Sequence, residues 1–207
     1  MIQYPHCKIN LGLSIVAKRA DGFHDLETVF YPVALNDILE ITPAKNNQAT
    51  TFSNSGLAIP GDTSNNLCLK AYHLLKADFP SLPGIQMHLH KIIPMGAGLG
   101  GGSSDAAFTL MGLRDLFELP LTNQELIPYA QKLGSDCAFF LHTQAQFGTG
   151  KGDDLAPIET NLSGLYAIIL YPNFGISTQK AYAGVQPNPA PGFLPDLLKS
   201  PMASWKN

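Results

Sequence analysis

A chain of 207 residues has room for one large domain or two small ones. Apolar residues make up 45 % of it and charged residues only 14 %, so most of the chain must bury a core and disorder is excluded. A net charge of -3 rules out the chain-wide basic footprint of nucleic-acid binders, so any anion has to be held by a local site.

In chain order, the first sixty residues read as strands joined by turns. An alternating run from Ile9 to Val16 and the turn signal Asp21-Gly22 precede a β-rich run from Leu26 to Val33 and a short strand from Asp37 to Thr42. The polar stretch Lys45 to Ser55 predicts an exposed loop or edge hairpin. From Asn66 the apolar period becomes helical, through Leu67, Ala71, Leu74 and Leu75, with Pro80 as a stop. Alternation returns from Ile85 to His90. A second helix is expected from Asp105 to about Leu116, and a third from the N-cap Thr122, with Glu125 three residues on, to Leu133. Beyond these lie the apolar run Cys137 to Leu141, a glycine-punctuated turn at Gly148 to Gly152, and a strand from Leu165 to Tyr171 that reads as buried. A proline-rich loop, Gln186 to Pro195, follows. Strands and helices mixed without regular βαβ alternation predict an α+β protein with a boundary within Asp153 to Gly164.

The three cysteines, Cys7, Cys68 and Cys137, form no C-x-x-C, which predicts buried thiols in a reducing compartment. The N-terminal residues lack a signal-peptide pattern and no stretch reaches the ~18 apolar residues of a membrane span, so a soluble, cytoplasmic protein is expected.

The most informative segment is Pro94-Met95-Gly96-Ala97-Gly98-Leu99-Gly100-Gly101-Gly102-Ser103-Ser104, set between a strand and a helix. Glycines at this density forfeit packing and cost conformational entropy. They permit backbone N–H groups to approach a bulky anion at a helix N-terminus, which predicts a phosphate site. The P-loop pattern fails, because Ser103 and not Lys follows Gly102. Gly96, Gly98 and Gly101 match G-x-G-x-x-G formally, but a second helix follows where a dinucleotide-binding unit needs a second strand. Ser103 and Ser104 read as helix N-caps whose hydroxyls also suit a nucleotide phosphate.

Lys8 and Asn10 share a face of the first long strand, and Ser14 continues it. Asp136 opens an apolar run, where a carboxylate must be capped, paired or functional. Phosphoryl transfer asks for positioning, charge neutralisation and a group that takes the proton from the attacking hydroxyl. Asp136 suits that base, and Lys8 suits the charge that keeps it ionised. His88 and His90 share a strand face, but no third metal ligand has suitable spacing.

The block Pro94 to Ala107 resembles the phosphate-binding motif of the GHMP small-molecule kinases. Further matches in family order are Lys8 to Leu13, Arg19 to His24, Asn66-Leu67, Leu133 to Asp136 and Gly150-Lys151-Gly152. Together these resemble the branch acting on a cytidine-diphosphate-linked methylerythritol of the non-mevalonate isoprenoid pathway. The resemblance implies two α+β domains. Residues 1–157 would form a domain like ribosomal protein S5 domain 2 and carry the ATP-binding loop; residues 158–207 would form part of a ferredoxin-like domain. It also implies transfer of the ATP γ-phosphate to a 2-hydroxyl with Mg2+, acting on a small molecule and on neither nucleic acid nor membrane. By position, Lys8 and Asp136 are the implied catalytic pair, and Pro94, Met95, Gly96, Ala97, Gly98, Leu99, Gly100, Gly101, Gly102, Ser103 and Ser104 hold the triphosphate. Asn66 with Lys91 lies near the adenine. Asn10, Phe23, His24 and Phe30, with Thr178 and Tyr182, contact the cytidine side. The motif names no Mg2+ ligands.

Three departures stand out: Phe23 where the family usually has Tyr, Cys137-Ala138 for the common Val-Pro, and Asp153 for the usual Glu. The family is also longer, with a third glycine-rich motif that is not found after Tyr182, so the chain is expected to be a fragment with its second domain cut short. The competing readings are another GHMP kinase, acting on a sugar, homoserine or mevalonate, and a nucleotide-binding protein without catalysis.

Overall fold

The computed structural model describes residues 1–45, 48–160, 162–172, 181–182, 184–188, 192–200 and 202–205. The chain forms two compact units, neither of them one continuous stretch: Met1–Cys7, Val33–Met95 and Leu99–His142 make the first, and Lys8–Pro32, Gly96–Gly98 and Thr143–Asn207 the second. The mixture of sheets and helices is the α+β class that the sequence predicts.

In the first unit, β1 (Ile2–Gln3), β4 (Ile38–Pro43), β5 (Thr51–Gly56) and β6 (Ile85–Lys91) form a sheet in the order β1-β4-β6-β5. The polar stretch expected as a loop or edge hairpin supplies β5, which runs parallel to β6. Its Thr, Ser and Asn side chains suit a sheet edge, where one flank faces water. On this pair, Ser53, His88, Ser55 and His90 form a hydrogen-bonded chain with links of 2.8–2.9 Å. Helices α1 (Leu67–Asp78), α2 (Gly101–Leu116) and α3 (Asn123–Leu133) pack against one another, and α2 also packs on β1 and β4. Leu39, Ile41, Leu89, Leu75, Leu110 and Leu126 fill the space between the layers. Burial of such side chains is worth roughly 1.5–3 kcal/mol each, which fixes α2 on the sheet.

Two caps follow the sequence closely. Asn66 accepts from the Cys68 N–H at the start of α1, and Thr122 and Glu125 form a complete capping box on α3. The start of α2 does not. The helix begins at Gly101, four residues before the expected Asp105, with Gly100 as a left-handed cap (φ 70°) that makes no side-chain bond. Ser103 and Ser104 therefore sit inside the first turn instead of capping it. A left-handed residue at this position needs no Cβ, so a glycine can begin the helix where a serine was expected to cap it.

The second unit is built on a sheet in the order β2-β3-β7-β8, from β2 (His6–Lys18), β3 (His24–Asn36), β7 (Gln146–Thr149) and β8 (Asp154–Pro157). Val29 and Ala145 pack with Leu194 and Leu198 of the short helix α4 (Leu194–Lys199). The proline-rich segment thus ends in a helix, with Pro195 in its first turn, where a missing N–H costs nothing. The run Leu165 to Tyr171 is not the expected buried strand. Tyr166 is 97 % exposed and Leu170 88 %, and among the described residues no strand pairs with it. Hydrophobicity alone forms no strand without a ladder to join. All three cysteines are buried and none is in a disulfide, as expected.

Candidate active site

The glycine loop leaves β6 and enters α2. Gly96, Gly98 and Gly100 take φ values of 67°, 74° and 70°, so left-handed glycines recur at alternate positions up to the helix start. Successive N–H groups in turns of this kind can form an anion-binding concavity, and the N-terminus of a 16-residue helix without a side-chain cap adds its orphan donors and dipole. No acidic residue stands in the first turn of α2, and the hydroxyl of fully buried Ser104 lacks a hydrogen-bond partner. The donor set fits a polyphosphate, which would enter with its own Mg2+.

Beside the loop the first unit holds a pocket of about 230 Å³, lined among others by Asn66, Leu67, Met95, Gly102 and Asp105. It brings together Asn66 with Met95 and Gly102 of the loop. Lys91 is turned the other way. Its ammonium is 1 % exposed and held by the carboxylates of Asp37 and Asp105. Gly101 lies over that lysine: a Cβ there would come within 2.8 Å of Nζ of Lys91 and 2.9 Å of Cγ2 of Ile93. The absence of a side chain at Gly101 is therefore required by the protein's own interior, where the sequence suggested only the approach of a phosphate.

Asp136 belongs to the same unit. It precedes the 3-10 helix Cys137–Leu141, whose five residues are all buried, and makes no side-chain capping bond to it. Helix α2 packs against this 3-10 helix, so the element that the glycine loop opens meets the turn that carries Asp136. Burial pushes the Cys137 thiol up to about 11, and Cys137 is an inert neighbour at neutral pH.

The second unit gathers Lys8, Asn10 and Phe30. Lys8 is 6 % exposed, donates to Oδ1 of Asn10 at 2.7 Å and lies 5.1 Å from the centre of the Phe30 ring. The Asn10 amide donates to Thr28, and the Thr28 hydroxyl donates to the carbonyl of Gly12 at 2.6 Å. A buried ammonium is thus oriented by an amide, a hydroxyl and an aromatic face. Thr28 was missed in the sequence; its spacing of two from Phe30 on a strand is the one signal that both face the same way. Phe30 is itself buried and supports Lys8 from below.

At the β2–β3 turn, Phe23 is 59 % exposed, and the Lys151 ammonium stands 5.3 Å from its ring. His24 stacks on Tyr182, with ring centres 5.7 Å apart and planes 24° from parallel. Thr178 lies outside the described residues.

The GHMP kinases N-terminal domain matches residues 66–144, which include Asn66, the glycine loop and Asp136. A 4-diphosphocytidyl-2-C-methyl-D-erythritol kinase of Cytophaga hutchinsonii is 49 % identical over all of this chain and 75 % of its own length. One from Bacteroides thetaiotaomicron is 46 % identical over the same shares. A crystal structure of a 4-(cytidine 5'-diphospho)-2C-methyl-D-erythritol kinase superposes with a TM-score of 0.66 at 33 % identity, covering 81 % of this chain and 61 % of that one. Fold and loop thus define a GHMP small-molecule kinase. Within that class, the chain belongs to the 4-diphosphocytidyl-2-C-methyl-D-erythritol kinase family.

Proposed function

We propose that the chain carries out ATP-dependent phosphorylation of the 2-hydroxyl of 4-diphosphocytidyl-2-C-methyl-D-erythritol, in the cytoplasm. The observation that carries this reading is the run of alternating left-handed glycines entering an uncapped helix. In this reading the loop from Pro94 to Ser104 holds the triphosphate through backbone N–H groups and the hydroxyls of Ser103 and Ser104. Asn66 stands near the base; Lys91 is assigned there by position, but its ammonium is already held by Asp37 and Asp105. Mg2+ bound with the triphosphate neutralises charge that develops on the transferred group.

Asp136 takes the proton of the attacking hydroxyl. Lys8 supplies positive charge that favours the developing alkoxide, with Asn10 orienting its ammonium. The cytidine end is taken by Phe23, His24 and Tyr182, whose aromatic faces suit a planar base, and by Asn10 and Phe30; Thr178 is assigned there by position alone. Phe23 retains stacking but lacks the hydroxyl of a tyrosine. Residues 1–157 and 158–207 correspond to the two GHMP kinase domains.

A coupled ADP-release assay with 4-diphosphocytidyl-2-C-methyl-D-erythritol tests the reading. Release with this acceptor and none with homoserine, mevalonate or free sugars is expected. Turnover of one of those acceptors instead would reassign the kinase, and thermal stabilisation by ATP without transfer to any acceptor would make the chain a nucleotide-binding protein.

A further inference from the structure

The buried charges beneath the glycine loop have no part in the chemistry above. Asp37, at the junction of β3 and β4, is fully buried. Its Oδ1 accepts the backbone N–H groups of Ile92 and Ile93, the latter at 2.9 Å, and its Oδ2 accepts the Lys91 ammonium. Lys91 also donates to Oδ2 of Asp105 at 2.9 Å, and Asp105 is 3 % exposed within α2. Isolated buried charges cost several kcal/mol each, and even paired ones are seldom better than apolar residues for stability. Directional bonds to two chain segments are something apolar residues cannot supply.

Those bonds fall on the two ends of the loop. Asp37 holds the chain where it leaves β6, through the N–H groups directly before Pro94. Asp105 holds it where it re-enters as α2, through Lys91. Gly101 seats the helix start on the same lysine. A loop this rich in glycine has more backbone freedom than any other sequence of its length, and order must be imposed on it from outside.

We propose that Asp37, Lys91 and Asp105 are positioning residues that set the two ends of the glycine loop for nucleotide phosphate, acting through the chain segments they hold. The proposal rests on the reading of the loop as the nucleotide site. Removal of one member weakens nucleotide binding and leaves the acceptor site unaffected, because the cluster's side-chain hydrogen bonds run to the two ends of the loop.

The test compares Asp105→Ala, which removes the acceptor for Lys91, with Asp105→Asn, which keeps one. Binding of MgADP is measured by calorimetry, KM is measured separately for ATP and for the cytidine diphosphate acceptor, and folding is checked by circular dichroism. Asp105→Ala is expected to bind MgADP about 10-fold to 100-fold more weakly, the scale of a displaced binding group, with acceptor KM within about twofold of wild type. Asp105→Asn is expected to restore most of the affinity. Should Asp105→Ala fail to fold, Lys91→Gln, which removes the ammonium that joins Asp37 to Asp105, carries the same expectation. A folded Asp105→Ala or Lys91→Gln with wild-type MgADP affinity overturns the proposal, as does an equal loss for both substrates. A wild-type chain that binds no MgADP overturns the nucleotide reading itself.

Discussion

Asp105 should make the chain lose stability as pH rises toward neutrality, and Asp105→Asn should abolish that loss. Three groups face this carboxyl: Lys91 from β6, Asp37 from the β3–β4 junction, and Cys68 from α1, whose thiol burial pushes far up. Burial is the largest influence; the attraction of Lys91 opposes it, and the negative charge of nearby Asp37 adds to it. The result is a carboxyl raised from 3.8 to about 7. In the folded chain it keeps its proton up to about pH 7, and in the unfolded chain it loses that proton near pH 4. Between those values the folded state binds more protons, so stability contributed by this group is full below pH 4 and is lost as pH passes 7. About three pH units at about 1.4 kcal/mol each give a loss on the order of 4 kcal/mol. The side chain is 4 % exposed, so solvent screening removes little of it. Asparagine resembles the protonated form and cannot ionise. Urea unfolding of both proteins from pH 4 to 8 should therefore give curves that agree at the acid end and diverge in favour of Asp105→Asn toward pH 8. Parallel curves would refute the reasoning, since they would mean that the carboxyl ionises alike in both states.

Gly101→Val should lower the melting temperature and not only nucleotide affinity, because the new Cβ would lie 2.8 Å from Nζ of Lys91; the loss expected for such overpacking is about 1–3 kcal/mol. Wild-type stability with lost MgADP binding would place the constraint in the phosphate path instead. Asp136→Asn should reduce turnover by roughly 100-fold to 10,000-fold with ATP KM nearly unchanged, the range for removal of a general base; near-normal turnover excludes Asp136 from that role. His24→Ala should raise KM for the cytidine substrate and leave that for ATP alone, and its effect would vanish in a kinase for another acceptor.

Features carried by neighbouring residues were legible in the sequence. The density of glycine before a helix announced a loop of left-handed residues that opens α2, and Thr122 with Glu125 announced a helix start that the structure reproduces bond for bond. The Lys8-Ile9-Asn10 alternation placed an ammonium and an amide on one face, where they are 2.7 Å apart. Other features depend on chain segments brought together from a distance. Asp37 and Lys91 are 54 residues apart, and no local period links them. The apolar run at Leu165 to Tyr171 read as a strand, although strand formation depends on a partner as well as on the run itself.

By itself, the sequence determined the kinase family and supplied the candidates for its chemistry: a glycine-rich loop that we read as a phosphate cradle, an aspartate and a lysine. Only the tertiary structure decided how the cradle is held. Where a helix starts, and which lysine faces inward, are settled by burial of charge and by contacts a few ångströms across between distant segments. Such contacts leave no periodic trace along the chain.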